Sequence, residues 1–289
     1  LLVIMNLLID DLSFEIAKDM LIYECDLRKS KEIQELYTLI QTKEVDNTDI
    51  IENSVQYLTL EKFGYDLTKQ NLKNYRMIGK KFGSKISEYA FYLKYNIMKE
   101  QLMPGTILNT EHIKLIRNNQ LYDFNNICST SLIFAGSITW PPFRALASIY
   151  NQIYDEYKHK INIFAVYILE AHFVENDLDG WPIGTLYRYP QHKTIEERIS
   201  MSNKFIEEFD FKPPVYVDTM SDSFNNTFNI WPDKCIIVKQ EGNETEILFT
   251  ALLNGYSRTT SQWYNDITNF IDNMINNSKT QSELLWKII

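Results

Sequence analysis

The stretch Gly136-Ser137-Ile138-Thr139-Trp140-Pro141-Pro142-Phe143 joins the apolar run 131–135 to a segment with Leu146, Ile149, Ile153 and Tyr157 at helical spacing. A strand that ends in small residues and opens onto a helix brings unpaired backbone N–H groups and the positive end of a helix dipole to one point. Such a point stabilises a thiolate or selenolate and lowers its pKa. The stretch is therefore built for an anionic nucleophile, yet Trp140 stands there, and indole supplies none. Pro141 and Pro142 suit a first helical turn, where N–H groups lack partners anyway. Thr139 has two readings: a hydrogen bond to the nucleophile at 140, or the N-cap of the helix. Glu170 and His172 follow the β-branched, aromatic run 161–169. They fall at the strand edge where ligands collect in parallel sheets. A Glu-x-His pair there can relay protons, and it can equally be an ordinary loop. His192 precedes Thr194 and Glu197, which have capping-box spacing. Its imidazole can give a proton near pH 7, or simply mark the helix entry.

These groups need a scaffold of alternating strands and helices. Ile195, Ile199, Ile206 and Phe209 stripe a helix that Pro213-Pro214 stops, and 215–217 is a short strand. Residues 235–238 and 247–252 read as a hairpin turning near Gly242-Asn243. Trp263, Ile267, Phe270, Ile271 and Met274 mark a closing helix. Strand-helix-strand-helix-strand, then hairpin and helix, is an α/β, thioredoxin-like order. Right-handed crossovers place its early strands parallel at the centre. Residues before about 100 read as helical, with Ile86, Tyr89, Ala90, Leu93 and Ile97 as one stripe, read as packing core. Met103-Pro104-Gly105 breaks that pattern. The expected division is a helical region over 1–103, of unknown role, and a thioredoxin-like domain over 104–289.

The octapeptide resembles the signature of the iodothyronine deiodinase family, in which Gly-Ser-x-Thr is followed by selenocysteine or cysteine and then Pro-Pro-Phe. Trp140 stands at the selenocysteine. The likeness continues through Tyr167-Ile168-Leu169-Glu170-Ala171-His172, Asp179-Gly180-Trp181, the stretch from Pro190-Gln191-His192 to Glu196-Glu197-Arg198, and Asp218-Thr219-Met220. It holds in order from about Pro104 to Ile275. Separated motifs in the right order are more specific than one short match. The resemblance implies a reductive dehalogenase of iodothyronine or another halogenated phenol, with Trp140 marking the nucleophile and Thr139, Glu170, His172 and His192 beside it in catalysis. It implies substrate binding by Arg198 and by Lys234. Arg198 has an ion pair with Glu170 or a nearby acid as its structural reading. Lys234 falls near a family arginine and lacks the planar fork. Ile138 stands where many members have a cysteine, and the stretch from Phe173 to Leu178 departs from the usual short loop.

UGA encodes selenocysteine and is read as Trp in some genetic codes. The expectation is that residue 140 is natively selenocysteine, in an open-ended gene fragment that begins with Leu. A genuine Trp in a non-catalytic thioredoxin-like binding module is the alternative, and a selenol or thiol peroxidase on the same fold is another. Among 289 residues the net charge is −9, which argues against nucleic acid. Cys25, Cys128 and Cys235 form no CxxC pair or zinc spacing, so no metal is expected. Sparse cysteines fit a reducing, cytoplasmic compartment. No bound cofactor is expected, and an external thiol serves as reductant. Leu1 to Ile9 is too short to span a bilayer, so no membrane segment is indicated in this fragment. The expected partners are a small-molecule substrate and the thiol. A homodimer, as in vertebrate relatives, stays open.

Overall fold

The structure, a computed structural model, describes residues 6–40, 48–90, 93, 102–175, 179–180, 183–184, 186–251 and 260–286. Its strands, in chain order, are β1 (Ile107–Asn109), β2 (Lys114–Arg117), β3 (Gln120–Asp123), β4 (Thr130–Gly136), β5 (Asn162–Tyr167), β6 (Val174–Glu175), β7 (Asp179–Gly180), β8 (Val215–Asp218), β9 (Lys234–Glu241) and β10 (Glu244–Ala251). The chain forms two compact units. One comprises residues 1–101, 138–141 and 170–192, and the other comprises 102–137, 142–169 and 193–289.

The second unit holds an eight-stranded sheet in the order β1-β10-β9-β4-β5-β8-β2-β3. β4 runs parallel to β5, and β5 to β8, while β9 and β10 return antiparallel. This is the thioredoxin-like order that the sequence pattern predicts. β4 is buried from Ser131 through Gly136, which explains its unbroken apolar run. The Ala147–Tyr157 and Ile195–Glu208 helices bury Tyr150, Ile153, Tyr157 and Phe205. Phe134 and Tyr150 lie 4.3 Å apart between ring centroids, and Phe143 stacks on Phe205 at 4.9 Å. Gly136 is required by that packing, because a Cβ there would sit 2.5 Å from Phe143 Cδ2. The Thr194–Glu197 capping box forms as its spacing predicts. The hairpin turns at Gly242, whose φ of 62° suits glycine.

Three strands precede β4, where the sequence reading begins with 131–135. β2 and β3 pair as a hairpin through Asn118 and Asn119, at φ 51° and 57°. Two left-handed central residues make the turn type that matches strand twist, and Asn tolerates them. Strands of three or four residues are too short for periodicity to announce them.

The first unit contains helices α1 (Phe14–Lys29), α2 (Lys31–Ile40), α3 (Thr48–Lys62), α4 (Lys69–Arg76), α5 (Ile78–Phe82) and α6 (Ser84–Ser87). Ser13 and Thr68 cap α1 and α4 with their hydroxyls. One core gathers Leu21, Leu60, Tyr75 and Ile86 with Ala90 and Leu93, so the residues of the 86–97 stripe that are described do pack as core. Ile97, Trp181 and residues 176–178 lie outside the described residues. A buried polar network crosses the helices. Arg28 pairs with Glu24 and Glu52, and Tyr75 donates to Glu24 Oε2 at 2.5 Å. Each buried charge there has an opposite charge and further hydrogen bonds, the condition under which burial is tolerated. Among the described residues no helix is long and apolar enough to cross a membrane.

Candidate functional site

Thr139 and Trp140 follow β4 in the chain, Glu170 and His172 follow β5, and His192 precedes the Ile195–Glu208 helix. All five belong to the first unit. Glu170 is fully buried. Its Oε2 accepts the Thr139 backbone N–H at 3.1 Å and the Thr139 hydroxyl at 2.5 Å. Its Oε1 lies 3.0 Å from His192 Nε2, itself buried. Both carboxylate oxygens thus have partners, which offsets the cost of burying the group.

The Thr139 hydroxyl also accepts the backbone N–H groups of Ala171 and His172, each at 3.1 Å. Its one proton goes to Glu170, and its lone pairs serve the segment that carries His172. Thr139 therefore ties the residue before position 140 to the Glu-x-His segment. His172 in turn stacks under Trp140, with ring centroids 5.1 Å apart and planes 22° from parallel. Trp140 is half-buried, and its buried Nε1 has no hydrogen-bond partner among the described residues. Immediately after it comes the short Pro141–Ala145 helix, followed by Ala147–Tyr157.

Sequence reasoning assigned no role to Gln191, although it stands beside His192. Its Oε1 accepts Glu170 N–H at 2.9 Å and its Nε2 donates to Glu170 O at 3.1 Å. This two-way exchange is a side chain imitating a strand partner, and it fixes the Glu170 backbone. An amide's paired donor and acceptor is the signal that could have found it.

Arg198 and Lys234 lie in the second unit. The buried Arg198 donates to Asp222 at 2.7 Å and to the carbonyls of Asp218 and Thr219. It forms an ion pair with Asp222. Lys234 Nζ, also buried, donates to the carbonyls of Phe228 and Asn229 at the end of the Ser223–Phe228 helix. Asp218 accepts from Phe224 N–H and Asn225 N–H, and burial pushes its carboxyl up to about 7. Burial also pushes the thiols up: Cys25 to about 11, Cys128 to about 12, and Cys235 well above the usual range. All three are free, and each is held as the neutral thiol, a poor nucleophile.

Comparison with known proteins agrees with the motifs. A family model described as iodothyronine deiodinase matches residues 91–250. Thyroxine 5-deiodinase of Ovis aries is 25% identical over 124 residues, covering 43% of this chain and 41% of that protein. Type II iodothyronine deiodinase of Fundulus heteroclitus is 28% identical over 127 residues, covering 42% of this chain and 46% of that protein. The chain thus spans less than half the length of these curated relatives. Among solved structures, that of reduced Prx3 in complex with H2O2 from Vibrio vulnificus superposes with a TM-score of 0.37 at 10% identity, over 57% of this chain and 99% of that one.

Proposed function

The chain belongs to the iodothyronine deiodinase family, and from that premise we propose that it is a reductive dehalogenase of iodothyronines or other halogenated phenols, with a selenol or thiol at position 140. The observation that carries the reading is the buried carboxylate of Glu170. It joins the backbone and hydroxyl of Thr139, the neighbour of residue 140, to the His192 imidazole. Such a link serves a reaction that forms an anion at one end and delivers a proton at the other.

In the proposed reaction the selenolate attacks the substrate iodine. The carbon–iodine bond breaks, its electron pair stays on the ring carbon, and a selenium–iodine bond forms. A proton from the His192–Glu170 pair converts that carbon to C–H. A first external thiol displaces iodide from selenium and gives a mixed selenenyl sulfide. A second thiol releases the selenol and leaves a disulfide, so two thiols are oxidised for each carbon–iodine bond reduced and halide released. The reductant is external because Cys25, Cys128 and Cys235 are buried to differing degrees and held protonated. His172 lies against the side chain of residue 140, where it can contact the substrate ring. A non-catalytic module with a genuine Trp140 is the second reading, and the stacking of that indole on His172 favours it.

The test has two parts. The codon at position 140 is compared with those for Trp181, Trp231, Trp263 and Trp286. UGA at 140 alone supports selenocysteine; UGG at 140, or UGA at the others too, supports the non-catalytic reading. The protein is then made with selenocysteine at 140, as Trp140→Cys, and unchanged, and iodide release from an iodophenol and an iodothyronine is followed with a dithiol present. Release should rank selenocysteine above cysteine, with none from Trp. A folded selenocysteine protein that releases no iodide refutes the proposal, and turnover of a hydroperoxide instead would point to a peroxidase.

A further inference from the structure

The excursion that carries Glu170, His172 and His192 is tied at its base and again at Ile183. At the base, Glu170 and Gln191 exchange two hydrogen bonds, Val174 N–H donates to Tyr189 O at 2.9 Å, and β6 pairs with β7. Farther along, Ile183 is 5% exposed and packs in an apolar cluster with Ile33 and Tyr37 of α2 and Ile51 and Val55 of α3. Arg188 Nη1 donates to Gly184 O at 3.1 Å and to Gln34 Oε1 at 3.4 Å. The receiving surface is itself braced. Gln34 Nε2 donates to Arg28 O at 2.8 Å, and Tyr37 Oη accepts from Arg28 Nη1 at 3.1 Å while donating to Glu52. Arg28 closes the brace by pairing with Glu24 and Glu52.

We propose that α1, α2 and α3 form a clamp that seats Ile183 of this excursion and thereby holds Glu170, His172 and His192 in position. This gives the N-terminal helical region a role, and it deepens the dehalogenase reading, on which it rests for what the held residues do. Ile183 and Gln34 are positioning residues. Ordering an excursion costs conformational entropy that hydrogen bonds at its base offset only in part, so its buried apolar contacts set how readily it opens locally. Together with the buried Ala171 and Phe173, the seated isoleucine supplies the apolar anchorage of the excursion. Without it, opening of the base would release the Gln191 exchange and strip the Thr139 hydroxyl of its Ala171 and His172 donors.

The experiment compares the full chain with Ile183→Ala, Ile183→Val and Gln34→Ala, by amide hydrogen exchange read on peptides. Ile183→Ala should speed exchange at least tenfold in peptides covering 170–174 and 188–192, with β4 and β5 unchanged. Ile183→Val should restore near-native rates, and Gln34→Ala, the gentler change, should give a smaller rise in the same peptides. Exchange within twofold of the parent for Ile183→Ala, or a rise shared equally by β4 and β5, overturns the clamp. With selenocysteine at 140, Ile183→Ala should lower kcat about tenfold and leave KM within about twofold, and the valine variant should recover it. If exchange rises as stated in a folded selenocysteine protein that releases no iodide, the clamp stands and the dehalogenase reading falls. If iodide is released and exchange does not change, the reverse holds.

Discussion

Removal of the Thr139 hydroxyl should unlatch the site. In Thr139→Val the shape is nearly kept, and three hydrogen bonds go: one to Glu170 at 2.5 Å and one each from Ala171 and His172 at 3.1 Å. Ala171 and His172 are buried, so water cannot replace the lost acceptor without opening the structure. Each stranded buried N–H costs about 1–3 kcal/mol. Glu170 Oε2 keeps the Thr139 N–H at 3.1 Å, so its loss is the smaller part. The total is about 3–5 kcal/mol for the segment, a shift of roughly two to four orders of magnitude in its opening equilibrium. Thr139→Ser keeps the hydroxyl and loses only a buried methyl, at about 1 kcal/mol. Urea denaturation followed by far-ultraviolet circular dichroism reads both variants, with the slope m checked for equality to the parent. A valine variant within about 1 kcal/mol of the parent would refute the reasoning. So would a serine variant as unstable as valine, since packing rather than hydrogen bonding would then be responsible.

Other consequences can be measured separately. Asp218 has its carboxyl raised to about 7 by burial, against an ordinary value of 3.8. A raised acid is protonated in the folded state where the unfolded state is charged. Its contribution is therefore intact below about pH 4 and is lost as pH rises through about 7, by roughly 4 kcal/mol in total. Asp218→Asn should flatten that part of the stability profile, and parallel profiles from pH 4 to 8 would contradict it. Gly136→Ala places a Cβ 2.5 Å from the Phe143 ring, so it should cost about 1–3 kcal/mol, partly recovered by adding Phe143→Leu. No recovery in thermal melts of the double variant would mean that the ring is not the obstacle. The three cysteines, with thiols raised by burial, should react slowly with a chromogenic disulfide reagent at pH 8 and rapidly after unfolding. Rapid reaction of a thiol in the folded protein would reopen an internal reductant.

The β4–β5–β8 core, the β9–β10 hairpin and the Thr194–Glu197 capping box were legible because each depends on neighbours in sequence. Buried parallel strands need continuous apolar runs, a hairpin needs a turn residue such as Gly242, and a capping box has fixed spacing. The candidate residues could be picked out as types in a pattern. The β2–β3 hairpin was not legible, because four-residue strands carry too little period and Asn118-Asn119 is a weaker turn signal than one with Gly.

What the sequence determined by itself is the family and the order of the sheet's central elements, both of which follow from local patterns. Tertiary structure alone decided which partners those residues have. Glu170 meets Thr139 and His192 across 31 and 22 intervening steps of chain, and Gln34 meets Arg188 across 154. It also decided that Arg198 donates to Asp222 and Lys234 to a backbone carbonyl. No period or motif encodes such pairings. They are set by which buried polar groups find one another once the apolar faces have closed, and each must find a partner or cost the fold stability.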